Sequence, residues 1–107
     1  MDNTALVVGS INMDLVVSTE EIPGLVETVL GNSITENPGG KGANQGVAIS
    51  KLGKRVNFLG MVGKDGLGHR ALKSMEAAGV VVDHIKRIDG TTGIAIINVD
   101  KAGNNNI

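Results

Sequence analysis

The residues best placed to do chemistry crowd into one stretch. Asn37-Pro38-Gly39-Gly40-Lys41-Gly42-Ala43-Asn44-Gln45-Gly46 packs four glycines, one lysine and three amides into ten residues. Pro38 resists helix on its N-terminal side, and the glycines let the backbone turn sharply and approach a ligand closely. Apolar residues of helical type, Val47, Ala48, Ile49 and Leu52, follow at once. A helix is therefore predicted to begin near Gly42 or Ala43, its unpaired N–H groups pointing back at the loop. Backbone donors, a positive helix end and one cation suit a hydroxylated or anionic small molecule. A plain tight turn before a helix, with a solvated lysine, fits the local pattern equally well.

Two phosphate motifs fail here. A Walker A loop needs glycine where Thr35 stands and Ser or Thr where Gly42 stands. In the dinucleotide fingerprint Gly40 and Gly42 would be followed by glycine at 45, but glycine comes at 46. A second polar group follows the apolar run Ala5-Leu6-Val7-Val8, which reads as a buried strand ended by Gly9-Ser10. Asn12 and Asp14 come just after it, and ligands of open α/β sheets sit at that edge. A turn or cap role would serve for Asp14 as well, and more readily for Asn12. His69 falls on the wet side of a helix, and His84 has no metal-spaced partner, so both read as solvated.

The elements that must hold these groups alternate. Leu15 to Ser18 reads as a second strand, with Glu20 to Gly24 as a turn. Glu27–Leu30 and Ser33–Glu36 alternate apolar and polar residues, as half-exposed antiparallel strands do. A helix over 44–52 closes at Gly53, and Val56–Val62 is the next strand. After a loop at 63–68, the residues Leu67, Ala71, Leu72, Met75 and Ala78 line one helical face that ends at Gly79. Val80–Asp83 is another apolar run. Ile94–Asp100 is the last long strand, and the turn Lys101–Asn104 leaves only Asn105–Ile107 to return. Such an unfinished hairpin implies that the chain is a piece of a longer protein or that something else supplies the missing strand.

Strands alternating with helices predict an α/β fold, a parallel-sheet core with right-handed crossover helices. The expected core is about 1–14 and 37–93. The polar-faced pieces, about 15–36 and 94–107, are expected to pair as a small antiparallel β lid over a site. At 107 residues and a net charge of −1 the chain suits one small domain, with nothing favouring nucleic acid or an anionic membrane. The absence of cysteine excludes a disulfide framework and a cysteine zinc site. Without a long apolar run or a signal-like N-terminus, a soluble cytoplasmic protein is the default expectation. Phe58 is the single aromatic residue, so aliphatic side chains and methionine must fill the core.

Gly9-Ser10-Ile11-Asn12-Met13-Asp14, then Gly39-Gly40-Lys41-Gly42-Ala43-Asn44-Gln45, then Gly60-Met61-Val62-Gly63-Lys64-Asp65-Gly66-Leu67-Gly68 occur in that order. Together they resemble the N-terminal third of the ribokinase-like (PfkB) family of carbohydrate kinases, across the whole chain. The resemblance implies that Asp14 and Asn12 hydrogen-bond sugar hydroxyls. It implies that Gly39 and Gly40 offer backbone, Lys41 and Asn44 grip the same sugar, and Ala95 and Ile97 line the pocket from above. It further implies D-ribose as the sugar, ATP and Mg2+ as requirements of the full-length enzyme, and a homodimer formed through the lid. The family's base, an aspartate in a Gly-Ala-Gly-Asp-like segment, and its ATP pocket have no counterpart in these residues. The chain alone is thus expected to grip sugar without transferring phosphate. Another member, such as a fructokinase or nucleoside kinase, and a non-catalytic, self-associating α/β fragment are the alternatives.

Two positions depart from the family pattern. Members usually carry glycine directly before Glu27, where this chain has Val26, with Gly24 two residues earlier. A β-branched residue avoids positive φ, so that turn is expected to be rebuilt. Pro38 stands where an aromatic or other apolar residue is common.

Overall fold

The computed structural model describes residues 3–107, so the first two residues of the expected core lie outside the described residues. The chain divides into two compact units, one of residues up to Met13 with Pro38–Gly93, the other of Asp14–Asn37 with Ile94–Ile107.

The first unit is built on parallel pairing. Strand β1 (Thr4–Val8) lies beside β4 (Arg55–Leu59), with Thr4 opposite Arg55 and Val8 opposite Leu59. On its other side β4 pairs in parallel with β6 (Val80–Val81). Helix α1 (Lys41–Lys51) connects back toward β4 and packs on β1, β4 and β6. Helix α2 (Gly66–Ala77) packs on β6 and on β5 (Met61–Gly63), which pairs in parallel with β7 (Lys86–Ile88). Phe58, Val56 and Met75 are fully buried, so one aromatic ring centres the core. Gly46 makes room for it: a Cβ there would stand 3.2 Å from Phe58 Cδ2.

Several expectations need correction. Ala5–Val8 is a strand but is not buried throughout: Val7 is buried, while Leu6 and Val8 are 62% and 72% exposed. The reason is alternation: Leu6 and Val8 lie on the face of β1 opposite the buried Val7, and that face is left uncovered. The strand read over 56–62 breaks at Gly60 into β4 and β5. A Cβ at Gly60 would stand 2.8 Å from Gly9 O and from Phe58 Cε1, so only glycine passes there. Strand β7 was not anticipated, because three exposed residues carry no alternation. Gly53 and Gly79 do end the two helices at φ 94 and 97.

The second unit carries a sheet in the order β3-β2-β8-β9. Its strands are β2 (Asn12–Ser18), β3 (Ser33–Gly39), β8 (Gly93–Val99) and β9 (Asn105–Asn106). The β8–β9 hairpin is antiparallel, with Asn98 opposite Asn106. Asp100 ties its turn, accepting from the N–H groups of Ala102 and Asn104 and from Asn104 Nδ2. Glu27–Leu30 is not a strand. It follows a tight turn in which Glu27 N–H donates to Gly24 O at 3.2 Å and Gly24 N–H donates to Glu27 Oε1 at 3.1 Å. The turn is not rebuilt around Gly24: Val26 itself takes φ 65. Its side chain is fully exposed, so the cost stays in the backbone.

Candidate functional site

The glycine loop is seated on the end of β1. Helix α1 starts at Lys41, earlier than the sequence suggested, with Gly40 as its cap at φ 99 and no side-chain cap. A Cβ at Gly40 would stand 2.5 Å from Ser10 O and 3.3 Å from Asn12 N. Position 40 therefore needs glycine twice, for its positive φ and for its contact with the 10–12 backbone. Two residues on, Gly42 lies against Gly9, and Ala43 N–H donates to Ser10 O at 3.2 Å. Asn44 N–H closes the first helical turn on Gly40 O at 2.9 Å. The helix offers no acceptor to the N–H groups of Lys41 and Gly42. No acidic residue stands in this first turn, so its positive end is not offset locally.

In this way one compact unit brings together Asn12, Gly39, Gly40, Lys41 and Asn44. Gly39 is buried at the end of β3, while Lys41 and Asn44 are exposed. Asn44 also borders a groove of about 280 Å³ between the two helices, with Pro38, Val47, Lys51, Ser74 and Met75. A broader hollow of about 650 Å³ lies at the C-terminal ends of β1 and β4. His84 and Lys86 border it, beside Gly9, Ser10 and Gly60.

Asp14 differs from the sequence reading. It lies inside β2, which begins at Asn12, and not in a turn after β1. Alternation along a strand puts Asn12 and Asp14 on one face of β2, with the buried Met13 on the other. Ala95 and Ile97 lie on β8, the neighbour of β2 in the sheet, and likewise share a face. All four are half-buried. His69 is exposed on α2, and among the described residues no group of three or more His, Asp or Glu side chains could hold a metal ion.

Sequence reasoning missed a polar cluster in the first unit. Asp65 caps α2, its Oδ1 accepting from Gly68 N–H at 2.7 Å. The same carboxylate accepts from Thr92 Oγ1 at 2.7 Å and from Thr92 N–H at 2.8 Å. The bonds from Thr92, from its N–H foremost, hold the Asp65 carboxyl below the usual carboxylate range. An aspartate three residues ahead of Gly68 and the Ala71-Leu72 run is a legible helix start. Thr92, 27 residues away, gives no such signal.

The chemical character of the set is uniform. Within the first unit, the Asn12 amide, a lysine, a second amide and backbone donors at a helix start are groups that can bond to hydroxyls. No helix among the described residues is long and apolar enough to cross a membrane.

A family model described as pfkB family carbohydrate kinase matches residues 2–107. The ribokinase of Lactococcus lactis is 43% identical over 94 residues, which cover 87% of this chain and 31% of that protein. The ribokinase of Bacillus subtilis is 43% identical over 100 residues, 90% of this chain and 34% of that protein. Among solved structures, Arabidopsis thaliana ribokinase complexed with ribose and ATP superposes with a TM-score of 0.89 at 31% identity, over 99% of this chain and 35% of that one. The chain thus spans about a third of the length of these relatives.

Proposed function

The chain belongs to the pfkB family of carbohydrate kinases, and from that premise we propose that it is the sugar-gripping portion, with its lid, of a cytoplasmic ribokinase. The parent activity is transfer of the ATP γ-phosphoryl group, with Mg2+, to the primary hydroxyl of D-ribose, giving D-ribose 5-phosphate and ADP. The observation that carries this reading is the seat of the glycine loop, where Gly40 packs on Ser10 and Asn12 and launches α1 at Lys41.

In this reading Asp14 accepts hydrogen bonds from two vicinal hydroxyls, and Asn12 pairs with a neighbouring one. Lys41 and Asn44 donate to sugar oxygens, beside the backbone of Gly39 and Gly40. Ala95 and Ile97 supply apolar contact. Positioning the sugar is the share of phosphoryl transfer that these residues perform; in-line attack also requires nucleotide, metal and a base. That base and the nucleotide pocket are assigned to parts of the full-length enzyme beyond these 107 residues, so the chain by itself is not a competent kinase. The exposure of Leu6, Val8 and Leu59 supports a further layer covering that face of the β1-β4-β6 sheet. The outer position of β3, exposed from Ser33 to Asn37 with Ile34 at 65%, supports a homodimer through the lid.

The test is a chimaera in which this chain replaces the matching segment of the Bacillus subtilis ribokinase. Ribose-dependent ADP formation is expected, and Asp14→Ala is expected to abolish it. Full activity of the Asp14→Ala chimaera would remove the assignment. Preference for another sugar or a nucleoside would move it within the family. ATP turnover by the unfused chain would overturn the claim of incompleteness.

A further inference from the structure

Asp65 makes more bonds than a helix cap needs. Capping α2 takes one of them, the 2.7 Å bond from Gly68 N–H, and a serine would serve for that. The remaining capacity of the carboxylate goes to Thr92, whose N–H and hydroxyl donate to its two oxygens at 2.8 and 2.7 Å. Thr92 Oγ1 in turn accepts from Gly63 N–H at 3.0 Å. Thr92 is only 4% exposed and its bond from Gly63 is buried, while Asp65 itself is half-buried. Glycine lines the space around it: a Cβ at Gly63 would stand 2.6 Å from Thr92 N, and one at Gly68 would stand 2.7 Å from Thr92 Oγ1.

The next residue makes this arrangement matter to the site. Gly93 starts β8, and a Cβ on it would stand 2.8 Å from Asn12 Oδ1. The Asn12 carboxamide therefore lies directly over the Gly93 backbone, with no side chain between them. From the preceding side the stretch is also held through backbone, by Lys64 N–H donating to Ile88 O at 2.9 Å and by the close approach of Gly63 to residues 90–92, with no further side chain among the described residues fixing Thr92. The Lys64–Asp89 ion pair at 3.3 Å is exposed, with side chains 59% and 94% accessible, and such pairs hold little.

We propose that Asp65 is a positioning residue for the Asn12 carboxamide: it clamps Thr92, and through Thr92 it sets the Gly93 backbone on which Asn12 rests. The clamp deepens the sugar-site reading given above and rests on it for its meaning. The geometry itself stands apart from any ligand. By this account Asp65 never touches sugar; its effect reaches the sugar through the orientation of one amide.

Two substitutions separate the clamp from the cap. Asp65→Ser keeps an N-cap oxygen for α2 but offers one oxygen where Thr92 needs two. Thr92→Val keeps the shape and the cap and removes the hydroxyl. Thr92→Ser keeps the hydroxyl and serves as the rescue. The primary readout is the pair of Asn12 side-chain NH2 signals in 1H–15N spectra of the unliganded chain, assigned by their loss in Asn12→Ala. Both clamp variants are expected to move these signals, and Thr92→Ser to leave them in place. In the chimaera, the KM for ribose is expected to rise about fivefold in the clamp variants, the equivalent of one ordinary hydrogen bond, with kcat retained. Asn12 signals at their wild-type positions in folded Asp65→Ser or folded Thr92→Val would overturn the proposal. If the signals move while ribose kinetics do not, the clamp stands and the sugar role of Asn12 falls.

Discussion

The Cα of Gly42, in the first turn of α1, lies against Gly9 at the end of β1: a Cβ built on either residue would stand 2.8 Å from the Cα of the other. This backbone-to-backbone seat sets how far the glycine loop stands from Ser10 and Asn12. Both neighbours are main chain, so neither yields as a flexible side chain would. Gly42→Ala and Gly9→Ala are each expected to lower stability by about 1–3 kcal/mol, the range for overfilling a packed site. Urea denaturation of the two variants measures this. A loss below about 0.5 kcal/mol, the scatter of ordinary surface changes, would show that the loop shifts freely.

Val26 offers a change in the opposite direction. It holds φ 65 in the Gly24–Glu27 turn with its side chain in solvent, so the conformation returns no packing. Left-handed backbone costs a residue with a Cβ about 1–2 kcal/mol, and glycine's looser unfolded state takes back part of that. Val26→Gly is therefore expected to stabilise the chain by about 0.5–1 kcal/mol, read as a raised urea midpoint at unchanged slope. A lower midpoint would mean that the turn does not hold its positive φ in solution.

These two sites also mark what the residue string discloses. The loop 37–46 announced itself because glycine, proline and lysine each carry a local rule, and α1 followed from the apolar run behind it. The pairing of β2 with β8 was legible as two polar-faced pieces of like character. Val26 was misjudged because propensity argued against positive φ, while the Gly24–Glu27 hydrogen bonds hold the turn regardless. Leu6 and Val8 looked buried because an apolar run does not say whether both faces of its sheet are covered. Thr92 was invisible for a different reason: its role depends on Asp65, and no periodicity joins positions 27 residues apart.

The same carboxylate sets a pH response. The folded-state pKa of Asp65 is lowered, chiefly by the Thr92 N–H bond, and its unfolded value is about 3.9. Its stabilising contribution is therefore fully present above that unfolded value and is lost as pH falls through the lower folded one. In this window the unfolded chain binds the extra proton, so stability drops with pH. Burial pushes the Asp100 carboxyl upward, but the bonds from the Asn104 side chain and from the turn N–H groups outweigh it and leave its pKa lowered. Asp65→Asn is thus expected to flatten the fall in urea midpoint below about pH 4 without removing it, because Asp100 still titrates there. A profile as steep as wild type would detach Asp65 from the Thr92 bonds.

Lys41 carries the sharpest test of the sugar grip, because α1 supplies its own control. Lys41 opens the helix and Lys51 closes it, and both side chains are exposed. Neither substitution should disturb the core, so Lys41→Met and Lys51→Met are expected to leave the urea midpoint near wild type. A hydrogen bond from a charged donor contributes about 1.5–3 kcal/mol, so Lys41→Met in the chimaera should raise the KM for ribose about 10- to 100-fold. Lys51→Met removes the same charge from the same helix and should leave KM unchanged. Equal effects from the two would mean that the lysines act through net charge alone, and the proposed contact between Lys41 and the sugar would have to be withdrawn.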